Sequence, residues 1–184
     1  MLRRCFLVTV ALALAGSVSF AADDKGTAVT IDGLTSTTPA DWKEAKTTSQ
    51  MRFKQFTLPK VEGDAADAEL IIFFFGAGSG GGVKANVDRW KGMFKPPAGK
   101  DIDEVAKLEE MNVGKVKVTY FDVTGTYLYR SRPGDPKVEE RPHHRMVAVV
   151  FESENGPYFF RLVGPEKTVT HHKKGFDEWL KNFK

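Results

Sequence analysis

Cysteine is nearly missing from this chain. The only one, Cys5, lies in an N-terminal segment that reads as removable, so the rest has no disulfide, no thiol nucleophile and no thiolate metal ligand. Charge of one sign is also scarce: the formal net charge is +3, and Arg3 and Arg4 are the only charges in residues 1–21, so residues 22–184 carry +1. A near-neutral chain has no global field to draw it onto nucleic acid or anionic lipid. The apolar run Cys5–Ala15 is too short to span a bilayer comfortably. The sequence holds no G-x-S-x-G and no H-E-x-x-H, and no G-K-[ST] follows its glycine-rich stretch. Without cysteine to staple it, residues 22–184 must be held by their apolar core, and their length suits a single domain.

Arg3 and Arg4 precede the apolar run, and Ser19-Phe20-Ala21 supplies small residues three before and one before a cut. This predicts a signal peptide over residues 1–21 and a secreted or periplasmic product. Leu14-Ala15-Gly16-Ser17 carries serine where a lipobox needs cysteine, which argues against a lipid anchor.

Glu69–Phe94 organises the remainder. Leu70–Phe75 is apolar at every position and reads as a central strand covered on both faces. The glycine-rich turn Gly76–Gly82 follows, then a helix over Val83–Phe94 with Val83, Val87, Trp90 and Phe94 on one stripe, stopped by Pro96-Pro97. Before it, Ala28–Leu34 suggests a strand with a turn at Asp32-Gly33, and Thr38–Lys43 a capped helical turn with Trp42 as a core plug. Met51–Leu58 alternates and then changes phase, predicting a bulge near Gln55. After the helix, Val105–Val113 and Lys115–Val123 read as two strands, with Thr126–Tyr129 as a further edge segment. Ser131–His143 reads as a long solvated loop, and Met146–Phe151 with Tyr158–Val163 as a hairpin turning at Asn155-Gly156 in type I′ geometry. A terminal helix starts near Pro165, with Val169, His172, Phe176, Leu180 and Phe183 on its apolar stripe. The fold expected is α+β: an antiparallel sheet of about five to six strands with helices packed on it.

This layout resembles the α/β/α sandwich of the PsbP extrinsic subunit of photosystem II and of a Ran-binding nuclear-transport protein. The likeness rests on P-x-x-W (Pro39 to Trp42), a central hairpin, and a terminal F-x-x-W-L (Phe176 to Leu180). The chain also resembles small exported bacterial proteins of unknown function with a glycine-rich turn followed by A-N-x-x-R-W, here Ala85, Asn86, Arg89 and Trp90. The resemblance implies binding or assembly assistance rather than catalysis.

Gly76, Gly78 and Gly81 match G-x-G-x-x-G, but no acidic residue ends a second strand about 20 residues on, and Pro96–Lys100 forms a turn instead. A dinucleotide is therefore not expected; a small anion at the free amides of the helix start is the better reading. The candidate ligand-binding residues are Gly78, Gly80, Asn86, Arg89 and Trp90. No catalytic set, metal site or cofactor is assigned. The function expected is a non-catalytic binding or assembly-accessory domain of the cell envelope, taking a protein or a small ligand. The alternatives are a small hydrolase using His143 or His144 with a loop carboxylate, and a metal-binding protein using His143-His144 and His171-His172.

Overall fold

The computed structural model describes residues 25–132 and 134–184; the expected signal peptide lies outside the described residues. In chain order the elements are β1 (Ala28–Ile31), β2 (Leu34–Thr37), β3 (Lys43–Glu44), β4 (Arg52–Leu58), β5 (Ala68–Phe74), α1 (Val83–Lys91), β6 (Phe94–Lys95), α2 (Ile102–Val105), β7 (Lys107–Val113), β8 (Val116–Tyr129), β9 (Glu139–Ser153), β10 (Gly156–Pro165) and α3 (Glu166–Lys181). The main sheet has eight strands in the order β3-β4-β5-β10-β9-β8-β6, with β7 also on β8, and β1 and β2 form a separate hairpin. Every pairing is antiparallel. The sheet thus exceeds the five or six strands expected, because β3 and β6 are two-residue strands that leave no periodicity to read.

Two cores sandwich the sheet. On one face α3, β1 and the turn before β3 pack through Val29, Ile31, Trp42, Val169, Phe176 and Trp179 onto Phe56, Leu70, Ile72, Phe160 and Leu162. On the other, α1 brings Val87 and Trp90 onto Phe121, Val123, Ala148 and Val150. The result is an α/β/α sandwich. It explains why β5 is apolar from Leu70 onward: adjacent residues Ile71 and Ile72 point to opposite faces and both are fully buried. β5 runs between β4 and β10; the chain leaves it through the glycine turn, and α1 carries it to the far side of the sheet, where β6 pairs with β8. A Cβ at Gly125 of β8 would stand 2.6 Å from the Lys95 carbonyl oxygen, so only glycine lets β6 come this close.

Several local expectations need correction. Thr38–Trp42 is a turn, not a helix; Thr38 Oγ1 accepts from Thr27 N–H at 2.9 Å, while Trp42 is a core plug as expected. The β4 irregularity falls between Arg52 and Lys54, two residues before Gln55. α1 ends at Gly92, ahead of the prolines, and Phe94 belongs to β6. Thr126–Tyr129 continues β8 and pairs with β9 on one side and β6 on the other. β9 begins at Glu139, so the loop after β8 is shorter than expected and His143 and His144 are strand residues. The hairpin turn is Glu154-Asn155, with Gly156 already paired to Ser153; Gly156 has φ 124° and Asn155 has no positive φ, which rules out the type I′ geometry expected. Val105 closes the short helix α2, started by a capping box of Asp101 and Glu104, so the strand expected from Val105 begins at Lys107.

Candidate functional site

The glycine turn winds through positive φ at Gly76, Gly78, Gly80 and Gly81, a path L-residues resist. Asn86, on the first turns of α1 and only 3% exposed, holds it there. Its carboxamide nitrogen lies 3.0, 3.2 and 3.1 Å from the carbonyl oxygens of Gly80, Gly81 and Gly82, donating to this cluster. Its Oδ1 accepts from Arg89 Nη1 at 2.7 Å. Asn86 is thus a buried bracket between loop and helix, and it orients an exposed arginine. The structure brings Gly80, Asn86 and Arg89 together. Gly78 sits on the open side of the loop, and Trp90 turns into the core, with its ring 5.9 Å from that of Phe121. Since β5 has antiparallel neighbours on both sides, no parallel-strand crevice of the dinucleotide-binding kind lies above these glycines.

Beside the turn lies a group that sequence reasoning missed. Phe73 and Phe75 stack with their rings 6.0 Å apart and 3° from parallel, and Phe159 of β10 tilts against Phe75 at 5.7 Å. Gly80 rests on this pair: a Cβ there would come within 2.6 Å of Phe159 and 2.8 Å of Phe75. Phe75 remains 38% exposed. Arg161, also on β10, places its guanidinium 5.3 Å from the centre of the Phe73 ring. Across the strand pair Arg52 faces Phe73; it donates to Gln55 Oε1 at 2.7 Å and lies 3.7 Å from Glu69. The group therefore forms an aromatic ledge bordered by arginines. One signal was available in the sequence: Arg161 is the lone charge in Tyr158–Val163.

The other sheet face carries two polar regions. A cleft of about 690 Å³ is lined by Asp64, His143, Glu166, Lys167, Thr170 and His171, so one histidine of each pair reaches it. His143 gets there because Pro142 and His143 bulge opposite Thr126, with φ 54° at His143. The second member of each pair goes elsewhere. His144 stacks on Tyr127 at 6.1 Å, and its Nδ1 lies 2.9 Å from the Pro142 carbonyl. His172 is buried, with Nε2 2.8 Å from the Pro59 carbonyl. Asp64 is engaged in accepting from the backbone N–H and the hydroxyl of Thr168. Among the described residues no hydrogen bond joins His143 or His171 to a carboxylate or hydroxyl, and no group of three or more metal-ligating side chains stands ready for an ion.

Nearby, a seam joins α3 to the sheet. Arg145 grips Asp122 with Nε and Nη2, at 2.9 and 2.7 Å, and donates to Thr170 Oγ1 through Nη1 at 2.9 Å. The Tyr120 hydroxyl and Lys173 both donate to Asp177. Burial, reinforced by Asp177, pushes the Tyr120 hydroxyl far above its ordinary range. The members of this seam satisfy one another, as structural ion-pair networks do.

No protein-family model matches the sequence, and no curated protein matches it. Among solved structures, the chain is similar to the crystal structure of a Pseudomonas aeruginosa protein of unknown function, at 12% identity and TM-score 0.47, over 85% of this chain and 94% of that one. It is also similar to the solution structure of PsbP from the cyanobacterium Synechocystis, at 14% identity and TM-score 0.46, over 94% of this chain and 98% of that one.

Proposed function

We propose that this chain is an exported, non-catalytic binding or assembly-accessory domain of the cell envelope, and that it meets its partner through the aromatic ledge of Phe73, Phe75 and Phe159. The observation that carries the reading is Phe75, a large aromatic left partly open beside a rigidly bracketed loop. A preorganised aromatic next to arginines has the composition of binding hot spots. Gly80 borders the ledge, Asn86 ties Gly80 to α1 and to Arg89, Gly78 lies on the open side of the same turn, and Trp90 packs in the core on Phe121. Export follows from the charged start, apolar run and small-residue cut of residues 1–21.

Two measurements test this. Mass spectrometry of the exported form is expected to give an N-terminus at Ala22; retention of residues 1–21 in the cytoplasm refutes export. A photo-crosslinking amino acid in place of Phe75 is expected to trap a discrete envelope protein, whereas the same group in place of Lys174, exposed on α3, traps none. Equal capture at both positions refutes the ledge.

A further inference from the structure

Of the three arginines at the ledge and its adjoining turn, two are engaged and one is not. Arg52 bonds Gln55 and neighbours Glu69, and Arg89 donates to Asn86. The Nε of Arg161 is buried with no hydrogen-bond partner, and no ion pair reaches its guanidinium among the described residues. The guanidinium lies over the face of Phe73. A buried donor left unpaired costs free energy that an apolar residue in the same strand would avoid. The Nη groups of Arg161 are not enclosed with its Nε, and a carboxylate brought from outside would pair with them beside the Phe73 ring, in a half-buried setting where such bonds are strong.

Charge and spacing agree. Arg52 and Arg161 flank Phe73, Glu69 lies beside Arg52, and Arg89 reaches the adjoining glycine turn through Asn86. Arg161 lies 5.3 Å from the Phe73 ring and Phe73 lies 6.0 Å from Phe75. An extended peptide rises about 3.3 Å per residue, so side chains two or three residues apart match that reach. Resting on the binding role assigned above, we propose that the occupant is an acidic peptide segment of a partner protein: one of its carboxylates pairs with Arg161, and an apolar side chain two or three residues away covers Phe75. A nucleic acid would call for more cationic contacts than three arginines offset by a glutamate supply.

The test is a random heptapeptide display library panned on the purified protein, followed by affinity measurements on the enriched peptides. Sequences rich in Asp and Glu flanking one aromatic or aliphatic residue are expected. R161M and F75S are each expected to weaken them by about tenfold or more, the loss typical of a hot spot, with the melting temperature retained. R161Q supplies the same readout if R161M does not fold. Neutral peptides that depend on Phe75 but not on Arg161 would overturn the acidic occupant and leave the ledge standing. No enrichment, or binding indifferent to both substitutions, would overturn both. Tighter binding of oligothymidylate or of phosphatidylglycerol vesicles than of the peptides would also overturn the proposal.

Discussion

At the scale of single residues, buried rings and the ion pair of Arg145 with Asp122 fix the core. Trp90 is 4% exposed and packs on Phe121, so Trp90→Ala is expected to cost about 3–5 kcal/mol in urea unfolding through the cavity it leaves. Arg145→Met would strand the Asp122 carboxylate in its buried position and is expected to cost about 3–5 kcal/mol, more than Asp122 and Arg145 replaced together. His144 gives a pH signature. Burial holds its imidazole below the ordinary value of 6.5; Arg141 and His143 push the same way, and the Pro142 carbonyl and Asp64 oppose them. A depressed folded-state value means that the unfolded chain binds the proton more readily. This contribution to stability is therefore complete above pH 6.5 and is lost as the pH falls through the folded-state value. Melting temperatures measured between pH 7 and 5 are expected to fall less steeply in His144→Gln than in the parent. Equal slopes would remove His144 from that account.

Among elements, the glycine turn and α1 act as one piece. Gly80 and Gly78 both have positive φ, but only Gly80 is pressed against aromatic rings. Gly78→Ala is expected to cost about 1–2 kcal/mol of backbone strain. Gly80→Ala meets the same strain and must also displace Phe75 and Phe159, so its melting temperature is expected to drop further; comparing the two melts checks this. Asn86→Ala would release three loop carbonyls and Arg89 together. How legible each element was in the sequence followed its length and periodicity. The α3 stripe was readable because sixteen residues repeat the helical period against one core. β5 was readable because burial on both faces removes every polar residue from Leu70–Phe75. β3 and β6 were not, because two residues carry no period. The bulge at Pro142-His143 was also hidden: a proline beside charges looks like a loop until Gly125 and Tyr127 pair around it.

For the whole molecule, the sandwich assigns opposite characters to the two sheet faces. The α3 face holds the histidine cleft and a self-satisfied ionic seam, while the α1 face leaves Phe75 and Arg161 at the margin of its cover. Patterning along the chain was enough to establish an antiparallel α+β domain built on the phenylalanine-rich strand, since alternation and helical stripes are local properties that record which side of each element meets a core. It was also enough to connect Asn86 with the glycines, because they lie within one turn of a helix start. Which residues meet across strands depends on register, and register is set by turns and bulges far away in sequence. Only the folded sheet could place Phe159 and Arg161 of β10 against Phe73 and Phe75 of β5, or send His143 and His144 to different surroundings.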